Sequence, residues 1–154
     1  MAVAIDASRV EEILDKYGED SSALIQILLD VQREYRWLPK EALARVSERL
    51  DVPLDRIYQI GTFYKAFSLV PRGRHEVQVC MGTACHVRGA PRLLDRVSEL
   101  LKLPPNSTSS DLKFTLSTVN CLGCCALGPV LVVDGDYHSK PSTEDLKRVF
   151  DACE

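Results

Sequence analysis

The six cysteines are the residues of this sequence best suited to carry out chemistry. They are Cys80, Cys85, Cys121, Cys124, Cys125 and Cys153, all in the second half of the 154-residue chain. Thiolates bind zinc and iron, and they also exchange disulfides. In a chain without an export signal, such a group indicates metal or redox chemistry more strongly than a framework of structural disulfides.

Four of these cysteines form two spaced pairs. Four residues separate Cys80 from Cys85, and three separate Cys121 from Cys125. Each pair follows a segment predicted to be a strand, so two rigid elements bring both loops to one place. Such gaps are at the wide end of those used for structural zinc. They favour a larger [2Fe–2S] cluster, in which each iron takes two thiolates.

The neighbours of the cysteine pairs agree with this interpretation. Gly82 and Gly123 lie inside the two loops, where glycine allows backbone N–H groups to approach a cluster closely. His86, Arg88 and Arg92 follow the first pair. These basic residues either offset the negative charge of a thiolate-bound cluster or form an ordinary solvated helix start.

Three alternatives to a cysteine-bound [2Fe–2S] cluster stay open when only residue types and spacing are considered. A zinc-stabilised interaction module uses the same thiolates, whereas a Rieske centre needs two histidine ligands and only His86 lies near a loop. Cys121 and Cys124 also form a C-x-x-C motif that fits a thiol–disulfide oxidoreductase. That motif follows the second predicted strand, while thioredoxin-type motifs follow the first. Cys124 and Cys153 are interpreted as small buried residues or inert thiols.

The composition is that of an ordinary globular protein. Hydrophobic residues make up 45% and charged residues 27% of the chain, and 19 basic against 22 acidic residues give a net charge of −3. With no basic stripe, nucleic-acid binding is disfavoured. No apolar run approaches the roughly 18 residues of a spanning helix, and residues 1–17 lack the pattern of a signal peptide. We therefore expect a cytoplasmic protein without direct membrane insertion.

The first half of the sequence predicts a helical bundle over residues 1–72. Ser8 with Glu11 three residues later predicts a capping box at the first helix. Pro39 and Pro53 fit the first turns of a third and a fourth helix. Apolar residues recur at helical spacing throughout this region. Such a bundle has no signature chemistry of its own, so we expect it to provide packing surface.

Short strands are predicted in the second half. Alternating or continuous apolar residues mark strands at 75–79, 112–119 and 130–133. Asp134-Gly135 is a hairpin signal between the third strand and a fourth at 137–139. The first of these strands runs directly into Cys80.

Two helices accompany these strands. One is opened by Pro91, and the last follows Pro141 with Ser142 and Asp145 as a capping pair. The resulting order, βαβββα over residues 73–154, is typical of a reduced thioredoxin-like layer of one sheet with helices beside it. The sequence therefore predicts an α+β protein, a helical bundle followed by a thioredoxin-like domain whose cysteine pairs favour a [2Fe–2S] cluster.

Two cysteine segments closely resemble a known family. Residues 80–89 (CMGTACHVRG) and 121–129 (CLGCCALGP) are similar to the thioredoxin-like [2Fe–2S] subunits of NADH dehydrogenases, hydrogenases and formate dehydrogenases. The resemblance extends into the first half, at 35–39 (YRWLP) and 61–64 (GTFY). It therefore covers nearly the whole chain.

The resemblance implies a ligand set and a partner. By position, the family's four cluster ligands fall on Cys80, Cys85, Cys121 and Cys125. Both domains are then expected to dock on a larger flavoprotein subunit that binds FMN and NAD(H). The chain has no G-x-G-x-x-G segment after a strand and no P-loop lysine motif, so hydride chemistry is expected on the partner. The expected function is one-electron transfer, without catalysis by this chain alone.

Overall fold

The structure, a computed structural model, describes residues 6–18 and 20–153. It divides into two compact units, one ending at Pro71 and the other beginning at Arg72. Helices make up the first unit, and a sheet with helices makes up the second. This mixed architecture confirms the predicted α+β class.

In the described part of the first unit, residues 6–18 and 20–71, the chain forms four α-helices. They are α1 (Ala7–Asp15), α2 (Leu24–Tyr35), α3 (Lys40–Leu50) and α4 (Leu54–Phe63). Each buries its apolar stripe in a shared core, in which Ile27, Leu28 and Leu43 are fully buried. Burial of such faces, more than intrinsic helix propensity, stabilises helices of this length.

The first helix begins differently from the sequence prediction. Asp6, and not Ser8, is the N-cap, because its carboxylate accepts a hydrogen bond from the Ser8 backbone N–H at 3.0 Å. The Ser8 hydroxyl donates to the same carboxylate at 2.6 Å. Aspartate is as good a cap as serine, and its charge also suits the positive end of the helix dipole. The predicted capping box of Ser8 and Glu11 was therefore wrong.

Within residues 72–153, the structure describes five strands and three α-helices in the second unit. They are β1 (His75–Cys80), α5 (Thr83–Val87), α6 (Ala90–Leu101), β2 (Ser107–Thr108), β3 (Phe114–Val119), β4 (Val130–Val133), β5 (Asp136–Ser139) and α7 (Thr143–Asp151). The strands form one sheet in the order β2-β3-β1-β4-β5. The central strand β1 is therefore flanked by β3 and β4.

The register of the sheet positions the two cysteine loops. Strands β1 and β3 run parallel, with Cys80 opposite Val119. Both strands thus end at the same edge, and the chain leaves each of them into a cysteine loop. Strand β4 is antiparallel to β1, with Leu131 opposite Val79, so its first residue, Val130, lies at this edge too.

Two local predictions in this unit are confirmed. Asp134 and Gly135 form the β4–β5 hairpin turn with positive φ angles of 51° and 97°, the conformation that a two-residue hairpin of this type needs. Ser142 and Asp145 form a reciprocal capping box at the start of α7. This helix then buries Leu146 against the sheet core.

Helix α5 and strand β2 were not predicted, and one strand starts later than expected. Helix α5 lies inside the first cysteine loop, and β2 is a two-residue edge strand. The strand predicted at 112–119 begins only at Phe114. Leu112 has a φ angle of +54° and belongs to a turn, in which its N–H donates to the Ser109 carbonyl at 2.9 Å.

Candidate metal centre

Two loops carry the candidate cysteines to one edge of the sheet. Cys80 is the last residue of β1, and Cys85 lies in α5. Cys121 follows β3 after Asn120, and Cys125 begins a short 3-10 turn, Cys125–Leu127. The parallel pairing of β1 and β3 is what brings these two loops together.

The two loops enclose a cavity of about 370 Å³. All four predicted ligands line it, and so does Cys124. The full lining consists of Cys80, Gly82, Thr83, Ala84, Cys85, Asn120, Cys121, Gly123, Cys124 and Cys125. Cys80 and Cys85 are buried, whereas Cys121 and Cys125 are exposed. The cavity therefore reaches from the end of the sheet to the surface of the unit.

Backbone N–H groups point at the sulfur of Cys80. Burial by itself raises the pKa of this thiol, but hydrogen bonds from the N–H groups of Gly82 and Leu122 and from the Cys85 thiol outweigh it and hold the pKa below its ordinary value. Burial raises the pKa of Cys85, and its contact with Cys80 adds to that rise. On the second loop, the Gly123 N–H donates to Cys121 Sγ at 3.3 Å. N–H donors to sulfur are the interactions that stabilise thiolate ligands.

Two glycines permit close approach around the cavity. A Cβ atom on Gly82 would lie 2.8 Å from the carbonyl oxygen of Asn120. A Cβ atom on Gly128 would lie 2.9 Å from Cys85 Sγ. Both distances are shorter than a normal contact, so the missing side chains let the second loop pack directly on the first. Gly82 was singled out from the sequence, whereas the lining residue Asn120 was not.

Arg88 connects the two loops. Its guanidinium group donates a hydrogen bond to the carbonyl oxygen of Cys125. Among the three basic residues noted in the sequence, the structure thus places Arg88 against the second cysteine loop. The contact places a positive charge next to the backbone of Cys125, which is a candidate ligand.

The donor set and the room in the cavity bear on the kind of centre it can hold. Four predicted cysteine ligands line a cavity of about 370 Å³. A binuclear cluster spreads four thiolate ligands over two irons. The donor set and the cavity therefore fit a [2Fe–2S] cluster.

Cys153 lies away from this cavity. It is half-buried just after the end of α7, and its thiol donates to the Val149 carbonyl at 3.3 Å. Burial and the negative charge of Asp134 raise the pKa of this thiol. These features agree with the interpretation of Cys153 as a thiol outside the predicted cluster site.

Comparison with known proteins identifies the family. The sequence profile of the thioredoxin-like [2Fe–2S] ferredoxin family matches residues 10–154. The chain therefore belongs to this family, and its cofactor is a [2Fe–2S] cluster. The thioredoxin-like domain and the cluster predicted from the sequence are confirmed.

Individual relatives are subunits of oxidoreductase complexes. The chain is 33% identical over 147 residues to a NADH-quinone oxidoreductase subunit of Rickettsia bellii, covering 94% of this chain and 88% of the relative. It is 30% identical over 141 residues to HndA, a subunit of the NADP-reducing hydrogenase of Solidesulfovibrio fructosivorans, covering 92% and 82%.

A solved structure shares the fold. A chain of an air-oxidised NAD+-reducing [NiFe]-hydrogenase aligns with a TM-score of 0.71 at 17% identity, over 87% of this chain and 23% of the hydrogenase chain. At this identity the likeness shows the fold alone.

Among the described residues, no helix has the length and apolarity needed to cross a membrane.

Proposed function

We propose that this chain is the electron-transfer subunit of an NAD(P)H-linked oxidoreductase complex, with Cys80, Cys85, Cys121 and Cys125 as the cluster ligands. The observation that carries the proposal is the convergence of these cysteines on one cavity from the ends of two parallel strands. The relatives that are subunits of NADH-quinone oxidoreductase and of NADP-reducing hydrogenase support it.

The bound cluster supplies one-electron chemistry, and the chain's own residues set the conditions for it. Hydrogen bonds to Cys80 and Cys121 stabilise the ligand sulfurs. Burial of Cys80 and Cys85 shields one side of the site from water, while exposed Cys121 and Cys125 keep the other side close to the surface. A site near the surface allows a short path for an electron from a partner.

The proposed electron donor is the FMN of a larger flavoprotein subunit that also binds NAD(P)H. Apolar side chains next to the cavity cysteines support docking of a protein there. Val87, two residues after Cys85, is 82% exposed, and Leu127, two residues after Cys125, is 44% exposed. Exposed apolar residues beside a functional site are typical of protein interfaces.

The proposal also gives each of the two predicted domains a role. We assign cluster binding to residues 73–154 and part of the docking surface to the helical bundle of residues 1–72. The exposed aromatic residues Phe63 and Tyr64 at the end of α4 support a docking role for the bundle. A cytoplasmic location stays a prediction.

Metal analysis of anaerobically purified protein tests the centre itself. Iron and acid-labile sulfide are each expected at about two per chain, because this is the composition of a binuclear cluster. Visible charge-transfer bands and an electron paramagnetic resonance signal after reduction are expected with them. Zinc without sulfide would support the interaction module, and free thiols alone would support a thiol–disulfide oxidoreductase.

Cysteine variants test the ligand assignment. Replacement of Cys80, Cys85, Cys121 or Cys125 by Ala should abolish the visible spectrum and lower the stability of the second unit, because ligation supplements a small core. Cys124→Ala is the matched control, since this cysteine lines the same cavity, and its spectrum should be intact. Loss of the cluster in Cys124→Ala with retention in Cys125→Ala would instead move the fourth ligand to Cys124.

A further inference from the structure

A second group of metal-ligand side chains lies outside the cysteine cavity. One ligand atom each from His75, Asp134 and Cys153 falls within 4.8 Å of the other two. The three residues come from the first position of β1, the β4–β5 turn and the segment after α7. His75 and Cys80 are at opposite ends of β1, and five residue steps in a strand span about 16 Å. The group is therefore separate from the candidate cluster site.

Backbone contacts hold the first two residues in place. His75 Nδ1 lies 2.6 Å from Asp134 Oδ2. The other oxygen of the same carboxylate, Oδ1, accepts the Glu76 backbone N–H at 2.7 Å. The Asp134 N–H in turn donates to the Glu76 carbonyl at 3.0 Å. One carboxylate oxygen is thus fixed by the sheet, while the other faces the histidine.

Packing also restricts the histidine ring and the cysteine. The ring of His75 lies 5.6 Å from that of Phe114, which contacts Phe150 of α7 edge-on at 5.9 Å. Only 19% of the His75 side chain is exposed. The Cys153 thiol donates to a carbonyl of α7, so its position is tied to that helix. His75 and Cys153 are therefore positioned by contacts with the sheet core and with α7, and Asp134 is positioned by its hydrogen bonds to Glu76.

We propose that His75, Asp134 and Cys153 form a binding site for a divalent transition-metal ion of the zinc type. Imidazole nitrogen, carboxylate oxygen and thiolate sulfur are the three kinds of ligand that Zn²⁺ takes in proteins. Three protein ligands leave the fourth tetrahedral position to water. The two charges of the ion are balanced by one carboxylate and one thiolate.

Binding requires only a small adjustment of the side chains. Donors around a tetrahedral zinc ion are about 3.3–3.8 Å apart, so atoms now within 4.8 Å need to move by roughly 1–1.5 Å at most. The ion takes the place of the hydrogen bond between His75 Nδ1 and Asp134 Oδ2, so the neutral imidazole carries its proton on Nε2, and the thiol proton of Cys153 is released to solvent. Because the ligands come from the sheet and from the end of α7, the ion connects the last helix to the sheet.

Equilibrium dialysis of the iron-loaded protein against Zn²⁺ tests this site. Zinc is expected to bind at one per chain while iron stays at two per chain. His75→Asn and Cys153→Ala should each weaken zinc binding at least tenfold, since each removes one ligand. His138→Asn is the matched control, because this histidine lies on β5 outside the group, and it should bind zinc as the unchanged protein does.

A second readout uses the thiol directly. Alkylation of Cys153 by iodoacetamide, followed by peptide mass spectrometry, should slow at least tenfold when zinc is present, and His75→Asn should abolish that protection. The proposal would be overturned if the unchanged protein, His75→Asn, Cys153→Ala and His138→Asn all bound zinc with equal affinity. Zinc uptake that occurred only with loss of iron would also overturn it. The site does not depend on the proposed function, because the variants of His75 and Cys153 leave the cysteine cavity unchanged. Far-ultraviolet circular dichroism of both variants shows whether they are folded.

Discussion

At the scale of single residues, Arg88 is expected to influence the reduction potential of the cluster. Its positive charge lies next to Cys125, and reduction adds a negative charge to the site. Removing the positive charge in Arg88→Gln should therefore lower the midpoint potential, by roughly 20–60 mV for a partly screened charge. Redox titration followed by visible absorption measures the shift.

Arg92→Gln provides the control for this experiment. Arg92 is an exposed residue of α6 and carries the same charge, so its replacement changes the net charge of the protein equally. We expect a clearly smaller shift, because solvent screens exposed charges over distance. Equal shifts in the two variants would show that net charge, and not the contact with the Cys125 carbonyl, determines the effect.

The convergence of the two cysteine pairs on one cavity was predictable from the sequence, but several of their neighbours were not. In a chain without an export signal, a group of cysteines indicates metal or redox chemistry, and the spacing of the two pairs limits the metal centres that can be bound. The contact of Arg88 with Cys125 involves a backbone carbonyl, which has no signature in the sequence. The group formed by His75, Asp134 and Cys153 joins positions up to 78 residues apart, so only the folded sheet reveals it.

At the scale of elements, the start of α7 depends on its capping box. The Ser142 hydroxyl and backbone N–H donate to the Asp145 carboxylate at 2.6 and 3.0 Å, and these bonds hold the pKa of Asp145 below its usual value. Ser142→Ala should lower the melting midpoint by roughly 4–8 °C, the shift expected for a lost cap in a unit of this size. Thermal unfolding followed by circular dichroism measures it.

Thr143→Ala is the matched control for the capping prediction. Thr143 is the exposed first residue of the same helix, and it is replaced by the same side chain. We expect a change of at most a degree or two, because alanine is a good helix former. A similar loss in both variants would contradict a specific role for the cap.

Elements with strong local signals were predicted well, and weak ones were missed. Val130–Val133 is a continuous β-branched and apolar run that became a fully buried strand, and the adjacent turn has its expected conformation. Strand β2 has only two residues and pairs at the sheet edge, so no periodicity marks it. Leu112 fits an alternating pattern, yet hydrogen bonds around Ser109 place it in a turn. Tertiary contacts overrode the local pattern there.

At the scale of the whole molecule, the proposed function requires a partner for reaction with NADH. The isolated iron-loaded protein should show no NADH oxidation with an artificial acceptor, while dithionite should reduce its cluster directly. Adding the cognate flavoprotein subunit should allow NADH to bleach the visible bands. Stopped-flow absorption measures both reactions. Bleaching of the isolated chain by NADH at a catalytic rate would reveal a dinucleotide site on this chain.

Val87→Ser tests whether the partner docks beside the cavity. The side chain of Val87 is 82% exposed, so a polar replacement is expected to leave the fold and the visible spectrum unchanged. Reduction through the flavoprotein should slow several-fold because apolar contact area is lost, whereas reduction by dithionite should proceed at the original rate. If flavoprotein-dependent reduction is also unchanged, docking takes place on another surface.

The parallel pairing of β1 and β3 has a consequence for how the protein is made in the cell. A parallel pair needs a long connection, and here 35 residues separate Cys85 from Cys121. At about 5–20 residues per second, the ribosome needs roughly 2–7 s to synthesise this stretch. The first two thiols are therefore complete well before the second loop exists. With the proposed ligand set, the cluster site is therefore complete only after β3 and the second cysteine loop have been synthesised.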